Sequence, residues 1–279
     1  MATIAEKRAE FRRLHESGCF VIPNPWDVGS ARYLQSLGFK ALATTSAGFA
    51  WARGVSDGAI TRDMALAHYA ELAAAVDVPL NADFEGGFAD APEDVAESVR
   101  LCVETGVAGL SIEDFSGDRA NPLYPFDLAV ARIKAARAAI DKAKDKTGGE
   151  VLLTGRTEGF IRGRPDLDET LRRLKAFAEA GADCLYAPGI STREQIAAVV
   201  QAVAPKPVNL LMGTPSELTV KDCADLGVRR ISVGGSLART AWGGFMRAAR
   251  QIMEAGSFNG FAEGASGAEL NKLFQAMSR

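Results

Sequence analysis

Residues 79–88 read Pro79-Leu80-Asn81-Ala82-Asp83-Phe84-Glu85-Gly86-Gly87-Phe88. The short apolar run ends in two carboxylates and breaks on paired glycines, which predicts a buried strand followed by a sharp turn. Asp83 and Glu85 are two residues apart, so on a strand they point to the same side. Burying two acids side by side is unfavourable unless a cation lies between them. We therefore expect a divalent metal ion at the carboxyl end of this strand.

The same unit, a β-type run followed by an amphipathic stretch, recurs along the chain. Glycines follow several of the predicted helices and are typical helix stops, as at Gly38 and Gly181. Strict alternation predicts parallel strands with right-handed crossovers, and eight units in ~250 residues predict a (β/α)8 TIM barrel with its active site at the strand carboxyl ends. The predicted strands are 20–23, 41–46, 78–83, 109–113, 151–156, 184–187, 208–212 and 230–233, and the helices between them are 28–37, 62–76, 92–104, 127–144, 167–180, 191–203, 215–226 and 237–255.

A doubly wound open sheet is the alternative fold. That fold usually carries a GxGxxG motif after its first strand, whereas this chain has Asn24-Pro25-Trp26-Asp27 there. We therefore expect a single barrel domain over residues 1–279, in which 255–279 form a C-terminal linker and a short helix at 268–277. From the sequence, this last helix could pack on another subunit or on its own barrel.

The composition narrows the class of function. The formal net charge is −3, with basic residues scattered among acids, so no basic stripe favours nucleic acid or an anionic membrane as a partner. The four cysteines lie far apart, which argues against a zinc ribbon or a disulfide scaffold. Residues 1–10 lack the apolar core of a signal peptide, and no run approaches the ~20 apolar residues that span a bilayer. These features favour a cytoplasmic enzyme that acts on a small molecule.

Acidic residues at neighbouring strand ends predict the metal site. Asp83 and Glu85 follow the third strand and Glu113 ends the fourth. A single acid could cap a helix or pair with an arginine, whereas three from adjacent strands favour a metal. Because neither His nor Cys lies near the strand ends, these oxygen ligands suit Mg²⁺, or Mn²⁺, better than Zn²⁺.

Other strand-end residues predict the substrate site. Arg156 carries a planar charged fork that suits a carboxylate or a phosphate. The backbone amides of Ala47 and Gly48, in a turn beyond the second strand, could bind another oxygen. The seventh strand supplies Asn209, a further candidate for substrate binding, and Trp26 suits a pocket wall as well as core packing. Together they predict a pocket for a small, chelating, anionic 2-oxo or 2-hydroxy acid.

The motifs, taken in order, resemble the isocitrate lyase and phosphoenolpyruvate mutase superfamily. The resemblance runs from about Phe20 to Ala255. It covers 24–27, 45–48, 83–87, 111–114, 155–158 and 182–189.

This resemblance implies a (β/α)8 barrel whose last barrel helix is exchanged between subunits of a homo-oligomer, a dimer or a homotetramer. It also implies a Mg²⁺ ion held, partly through water, by Asp83, Glu85 and Glu113, with Asp57 nearby as a catalytic acid. The substrate, or its enolate, would be bound by Ser46, the amides of Ala47 and Gly48, Arg156 and Asp83, with Trp26 close by.

The chain also departs from that family. Lyases of this kind carry an acid–base cysteine in a Lys-Lys-Cys-Gly-His loop and the mutases a Lys-x-Asn-Ser loop, but residues 115–124 contain neither. Glu85 and Glu158 also stand where Asp is more usual. Decarboxylation of a 3-carboxy-2-oxo acid such as oxaloacetate is the reaction that least needs an acid–base residue in this loop. Its leaving group, carbon dioxide, departs without taking up a proton.

Several other functions stay open from the sequence alone. One is retro-aldol or retro-Claisen cleavage of a 2-methylisocitrate-like acid, with Tyr124 or Arg119 replacing the cysteine as the catalytic group. Another is phosphonopyruvate-type carbon–phosphorus chemistry. The third is a non-catalytic barrel that binds an oxo acid.

Overall fold

Eight parallel strands form one sheet in the computed structural model, which describes residues 2–277. Their order is β1-β8-β7-β6-β5-β4-β3-β2, which confirms the predicted barrel with its strands in sequence order. The strands are β1 (Phe20–Ile22), β2 (Leu42–Ala43), β3 (Leu80–Ala82), β4 (Gly109–Glu113), β5 (Leu152–Arg156), β6 (Cys184–Tyr186), β7 (Val208–Leu211) and β8 (Arg230–Ser232).

The barrel closes between β1 and β2, which do not pair as a ladder. There, the amide of Ala43 donates to the carbonyl of Pro23 at 3.1 Å. Asn24 reinforces this seam: its Nδ2 donates to the carbonyl of Thr44, and its Oδ1 accepts from the amides of Val233 and Gly234, each at 2.9 Å. One side chain therefore ties β1 to the ends of both β2 and β8.

The helices surround the sheet, and most start at side-chain caps. Thr61 and Thr192, for example, accept a hydrogen bond from the third helical amide that follows. The helices are α1 (Ile4–Leu14), α2 (Val28–Ser36), α3 (Ser46–Ala52), α4 (Arg62–Ala75), α5 (Pro92–Glu104), α6 (Phe126–Ala143), α7 (Leu167–Glu179), α8 (Arg193–Val203), α9 (Val220–Asp225), α10 (Ser236–Ala255) and α11 (Gly267–Ala276), with 3-10 turns at Phe160–Arg162 and Asn259–Glu263.

Two helices were not predicted. Helix α1 lies across the amino-terminal end of the barrel, where its Phe11 is fully buried and so close to Gly109 that a Cβ there would lie 2.5 Å from the ring. Helix α3 begins at residue 46, within the predicted strand 41–46, because Thr45 caps it and accepts from the amide of Gly48. The observed strand β2 is correspondingly short.

The core consists of two sets of apolar side chains. The larger lies between the sheet and the helices. The smaller includes Phe11, Ile22, Leu152 and Cys184, where α1 meets the barrel interior. Within residues 2–277, no helix combines the length and the apolar character needed to cross a lipid bilayer.

Helix α10 occupies the position of the eighth barrel helix, yet Ala238 is its only buried residue. Phe245 is 62% exposed and Met253 is 86% exposed. The 3-10 turn at Asn259–Glu263 folds back on α10 at Ala248. Helix α11 returns to α2, with the ring of Phe274 close to Gly29. The single chain thus leaves an apolar face of α10 uncovered.

Candidate active site

A cavity of about 170 Å³ opens at the carboxyl ends of the strands. It brings together six of the predicted site residues: Ser46, Ala47, Asp57, Asp83, Arg156 and Asn209. The remaining lining residues are Ile22, Asn24, Ala43, Thr44, Thr45, Asn81, Ser111, Tyr186, Leu211, Arg230, Ser232, Gly234 and Gly235.

Asp83 connects three elements around this cavity. Its Oδ2 accepts from both the amide and the hydroxyl of Ser46 at 3.0 Å, which fixes the first turn of α3. Its own amide donates to Oγ1 of Thr44 at 2.9 Å, and its carbonyl accepts from the hydroxyl of Tyr69 at 2.7 Å. The carboxylate is therefore held rigidly, with Oδ1 turned toward Arg156.

Arg156 is surrounded by carboxylates. Its Nη1 lies 3.1 Å from Oδ1 of Asp83 and 3.3 Å from Oε2 of Glu113, and its Nε donates to Glu158. Arg162, on the following 3-10 turn, binds the other oxygen of Glu158 at 2.9 Å. The guanidinium of Arg156 is thus already paired with acids of the protein.

Asp114 does not reach the cavity. Its carboxylate instead fixes the residues that follow β5. Its carboxylate accepts from the hydroxyl of Thr157 at 2.8 Å and from the amide of Glu158 at 2.9 Å. Arg173, on α7, donates to the same carboxylate at 3.1 Å. This buried network orients the Glu158 side chain that meets Arg156.

Glu85 lies in the turn after β3 with a left-handed backbone, φ 47°, which is unusual for a residue with a side chain. Its carbonyl accepts from the amide of Glu113 at 3.0 Å. Burial, then the negative charges of Asp83 and Asp57, raise the pKa of its carboxyl to about 7. Burial and the neighbouring Glu158 likewise raise the pKa of Glu113 above its usual range.

Neither Glu85 nor Glu113 lines the cavity, and among residues 2–277 no three His, Cys, Asp or Glu side chains converge into a metal-binding group. The donors are nonetheless all oxygens, and the pKa of Glu85 is raised by burial first and then by the like charges of Asp83 and Asp57. Mg²⁺ takes only one or two carboxylates and keeps several waters. The acids Asp57, Asp83, Glu85 and Glu113 therefore fit a hydrated divalent cation.

Tyr124 lies away from the cavity, although the sequence offered it as a catalytic group. Its hydroxyl donates to Oδ1 of Asp90, and the guanidinium of Arg132 lies over its ring, 4.1 Å from the centroid. Arg132 in turn donates to the carbonyls of Gly86, Ala89 and Asp90. Tyr124 and Arg132 thus brace the turn that carries Glu85.

Two further predicted residues do not line the cavity. The amide of Gly48 donates to Oγ1 of Thr45 at 3.2 Å, as part of the helix cap. Trp26 does not line the cavity. It packs beside Gly48, where an added Cβ would lie 3.1 Å from that of Trp26.

The sequence reasoning missed Arg230, whose side chain lines the cavity from within β8 and is 3% exposed. The signal available in the sequence was a charged residue in a segment predicted to be a buried strand. Asn24 and Tyr186 were also missed as cavity residues. Asn24 stood in a quoted motif but was not assigned a role.

Comparisons with known proteins agree with this geometry. Residues 11–253 match the phosphoenolpyruvate phosphomutase family. A crystal structure from Burkholderia cenocepacia J2315, provisionally described as a lyase/mutase, is 47% identical, with a TM-score of 0.93 over 98% of this chain and 97% of that one.

Several relatives have named activities, and two of these names include oxaloacetate. Oxaloacetate decarboxylase of Paraburkholderia xenovorans (strain LB400) is 32% identical over 227 residues, which cover 78% of this chain and 71% of the relative. The structure of an oxaloacetate acetylhydrolase in complex with the product oxalate is 26% identical, with a TM-score of 0.86 over 99% of this chain and 97% of that one. The chain therefore belongs to the phosphoenolpyruvate mutase/isocitrate lyase superfamily and is an enzyme of this group of lyases and mutases.

Proposed function

We propose that the protein is a carbon–carbon lyase that decarboxylates a small 3-carboxy-2-oxo acid of the oxaloacetate type. One observation carries the proposal: among the described residues that line the cavity there is no Cys, Lys or His. A reaction whose leaving group must be protonated needs a well-placed general acid, and these described lining residues offer only the tyrosine Tyr186 and the carboxyl groups of Asp57 and Asp83 for that role. Decarboxylation does not need one, since carbon dioxide departs without a proton.

The acids in and beside the cavity support a metal-assisted reaction. Asp83, Glu85 and Glu113 would hold Mg²⁺, or Mn²⁺, which when bound would act as a Lewis acid toward the developing enolate oxygen. Arg156 keeps positive charge beside Asp83 throughout. Ser46 fixes the Asp83 carboxylate through two hydrogen bonds, so that the site is preorganised. Asp57 is exposed at the cavity mouth, where it could pass a proton between water and the enolate carbon.

The named relatives support the same substrate class. Both the decarboxylase and the acetylhydrolase carry oxaloacetate in their names, and the acetylhydrolase binds oxalate, a small chelating diacid. A cavity of about 170 Å³ lined by amides, hydroxyls and two arginines suits a short polar acid. We infer a small anionic 2-oxo or 2-hydroxy acid as the partner of this site.

Turnover of oxaloacetate in the presence of Mg²⁺ tests the proposal, with pyruvate formation followed by a coupled assay. We expect a rate well above that of Mg²⁺ alone, and an Asp83→Ala variant reduced to the metal-only rate. Asp225→Asn, a surface change on α9, is the matched control. A wild-type rate equal to that of the metal alone, unchanged in Asp83→Ala, would refute the proposal.

Hydrolytic cleavage of the same acid is the second candidate, and the likeness to the acetylhydrolase favours it. In that reaction water adds across the bond between the second and third carbons of oxaloacetate and gives oxalate and acetate. The same incubation separates the two reactions, because only decarboxylation yields pyruvate and carbon dioxide.

We also propose that the protein is a homo-oligomer, a dimer or a tetramer, in which α10 completes a neighbouring barrel. The uncovered apolar face of α10, with Phe245 and Met253 exposed, supports this arrangement.

A further inference from the structure

The cavity contains two arginines in opposite electrostatic situations. Arg156 is paired with three carboxylates. Arg230 is more deeply buried, at 3% exposed, but it forms no salt bridge with any residue between 2 and 277. It bonds to Oδ1 of Asn209 at 2.8 Å, Oγ1 of Thr154 at 3.0 Å and Nε2 of His15 at 3.3 Å. Only one of the two cavity cations therefore lacks a protein anion.

The partners of Arg230 are all neutral. Nδ1 of His15 lies 2.7 Å from the carbonyl of Phe11 and so carries the ring proton, which leaves Nε2 to accept from Arg230. Burial, followed by the charge of Arg230, lowers the pKa of His15 to about 3. A guanidinium has five N–H groups, and these three bonds leave two without a partner in the network.

An anion that joins a buried charge with only neutral partners would offset part of the cost of burying that charge. The cavity supplies the route for one, because Arg230 lines the same space as Asp83 and Ser46. Asn209 fixes the surroundings: its Oδ1 accepts from Arg230, and its Nδ2 donates to Oγ of Ser232 at 2.9 Å. Asn209, predicted as a substrate ligand, thus positions two other cavity groups.

We propose that Arg230 is a carboxylate-binding residue that holds an acid group of the substrate which remains in the product. The identity of that acid rests on the proposed function. Arg230 would bind a carboxylate that stays in the product. An ion pair with the leaving carboxylate would instead stabilise its negative charge, which must move into the enolate as carbon dioxide departs. For oxaloacetate the retained carboxylate is the one next to the oxo group.

Substitution of Arg230 tests the assignment, with oxalate as the binding probe. Calorimetry with Mg²⁺ present measures its dissociation constant in the wild type and in Arg230→Gln and Arg230→Lys. We expect binding at least tenfold weaker in Arg230→Gln, an intermediate value in Arg230→Lys, and a rise in KM for oxaloacetate that exceeds any fall in kcat.

Arg8→Gln is the matched control, because Arg8 is equally buried and bonds only to neutral groups of Val103, Val107, Thr147 and Gly149 outside the cavity. It should lower the melting temperature without changing oxalate affinity. Equal oxalate affinity in wild type and Arg230→Gln would overturn the assignment. Arg230 would then have only a structural role, as a contact between β8 and α1.

If Arg230→Gln does not fold, wild-type crystals grown in sodium bromide decide the question. An anomalous peak within hydrogen-bond distance of the Arg230 guanidinium supports an anion site, and its absence there contradicts one. Oxalate binding that depends on Arg230, in a protein that does not turn over oxaloacetate, would refute the proposed reaction and retain this inference.

Discussion

Nη1 of Arg156 lies 3.1 Å from Oδ1 of Asp83, so the residue expected to bind substrate is bound to the residue expected to bind metal. The same guanidinium also meets Glu113 and Glu158. Glu158 has no solvent exposure at all, so Arg156 and Arg162 provide its countercharge. Arg156 therefore has a structural role, whether or not it also binds the substrate as proposed.

Arg156→Met should destabilise the fold, because it leaves Glu113 and Glu158 buried with little countercharge. Removing one partner of a buried pair typically costs about 3–5 kcal/mol. Urea unfolding of the metal-free protein measures the loss. The double variant Arg156→Met/Glu158→Gln should recover part of it, and a double variant no more stable than Arg156→Met would contradict this account. Arg162→Gln, at a partly exposed position, should cost less.

Tyr124→Phe should leave the rate of oxaloacetate turnover within about threefold of the wild type. The hydroxyl binds Asp90 and does not reach the cavity, so we expect that another group replaces the missing cysteine. Removing a general acid would instead lower the rate by 10²–10⁴-fold. Steady-state kcat distinguishes these outcomes, and a loss of that size would restore Tyr124 as the catalytic acid.

Mg²⁺ should raise the melting temperature of the wild type and not that of Asp83→Asn. A ligand at 100 times its dissociation constant stabilises the folded state by about 2.7 kcal/mol. Scanning calorimetry after removal and return of the metal measures the shift without relying on catalysis. Asp225→Asn should respond like the wild type. A shift of the same size in Asp83→Asn would exclude that carboxylate as a ligand.

Stability should contain a pH-dependent contribution from His15, which is 8% exposed. Burial and then Arg230 lower its folded pKa to about 3, below the unfolded value of 6.5. As the pH falls through 6.5, the unfolded state takes up the proton first, so this contribution is present above pH 6.5 and is lost toward pH 3. The loss between pH 7 and pH 5 is about 2 kcal/mol.

His15→Gln isolates this contribution, because glutamine can still accept from Arg230 but does not titrate. The unfolding free energies of wild type and variant should converge by about 2 kcal/mol between pH 7 and pH 5. A constant difference between them over that range would mean that His15 is not neutral in the folded protein.

Phe245→Glu should shift the protein toward the monomer in sedimentation experiments at micromolar concentration. The wild type should sediment as a dimer or a tetramer, because a 20-residue helix with a single buried residue needs a partner surface. Glu254→Lys, a charge change on the same helix, is the control. A monomeric wild type would refute the exchange of α10 between subunits.

The barrel could be predicted because each strand is a short apolar run that ends in polar or glycine residues; β4 and α5 match the prediction at both ends. The second strand was overestimated because Thr44 and Thr45 favour β structure, whereas Thr45 acts as a helix cap. Local preference could not reveal that role, since it depends on how residues 46–52 pack.

The sequence predicted where the site residues lie better than it predicted which of them bind one another. Strand ends locate Asp83 and Arg156 because parallel strands present their carboxyl ends at one rim. Asn209 lies near the start of β7 and lines the cavity from within the barrel. Which acids Arg156 binds depends on the register of β4 and β5, which places Glu113 opposite Arg156. The contact between Arg230 and His15 joins positions 215 residues apart, and no local pattern encodes it.

The seam between β1 and β2 gives the barrel a preferred line of opening. A single main-chain bond, between Ala43 and Pro23, crosses it, whereas β4 and β5 are paired over five residues. The side chain of Asn24 joins the two sides of the seam. Replacing it would remove the hydrogen bonds to two amides at the end of β8 and to one carbonyl at the end of β2. Amide hydrogen exchange should therefore be fastest along this line. Ser46 lies just beyond this seam. Local opening between β1 and β2 would therefore disturb the substrate site before the rest of the barrel unfolds.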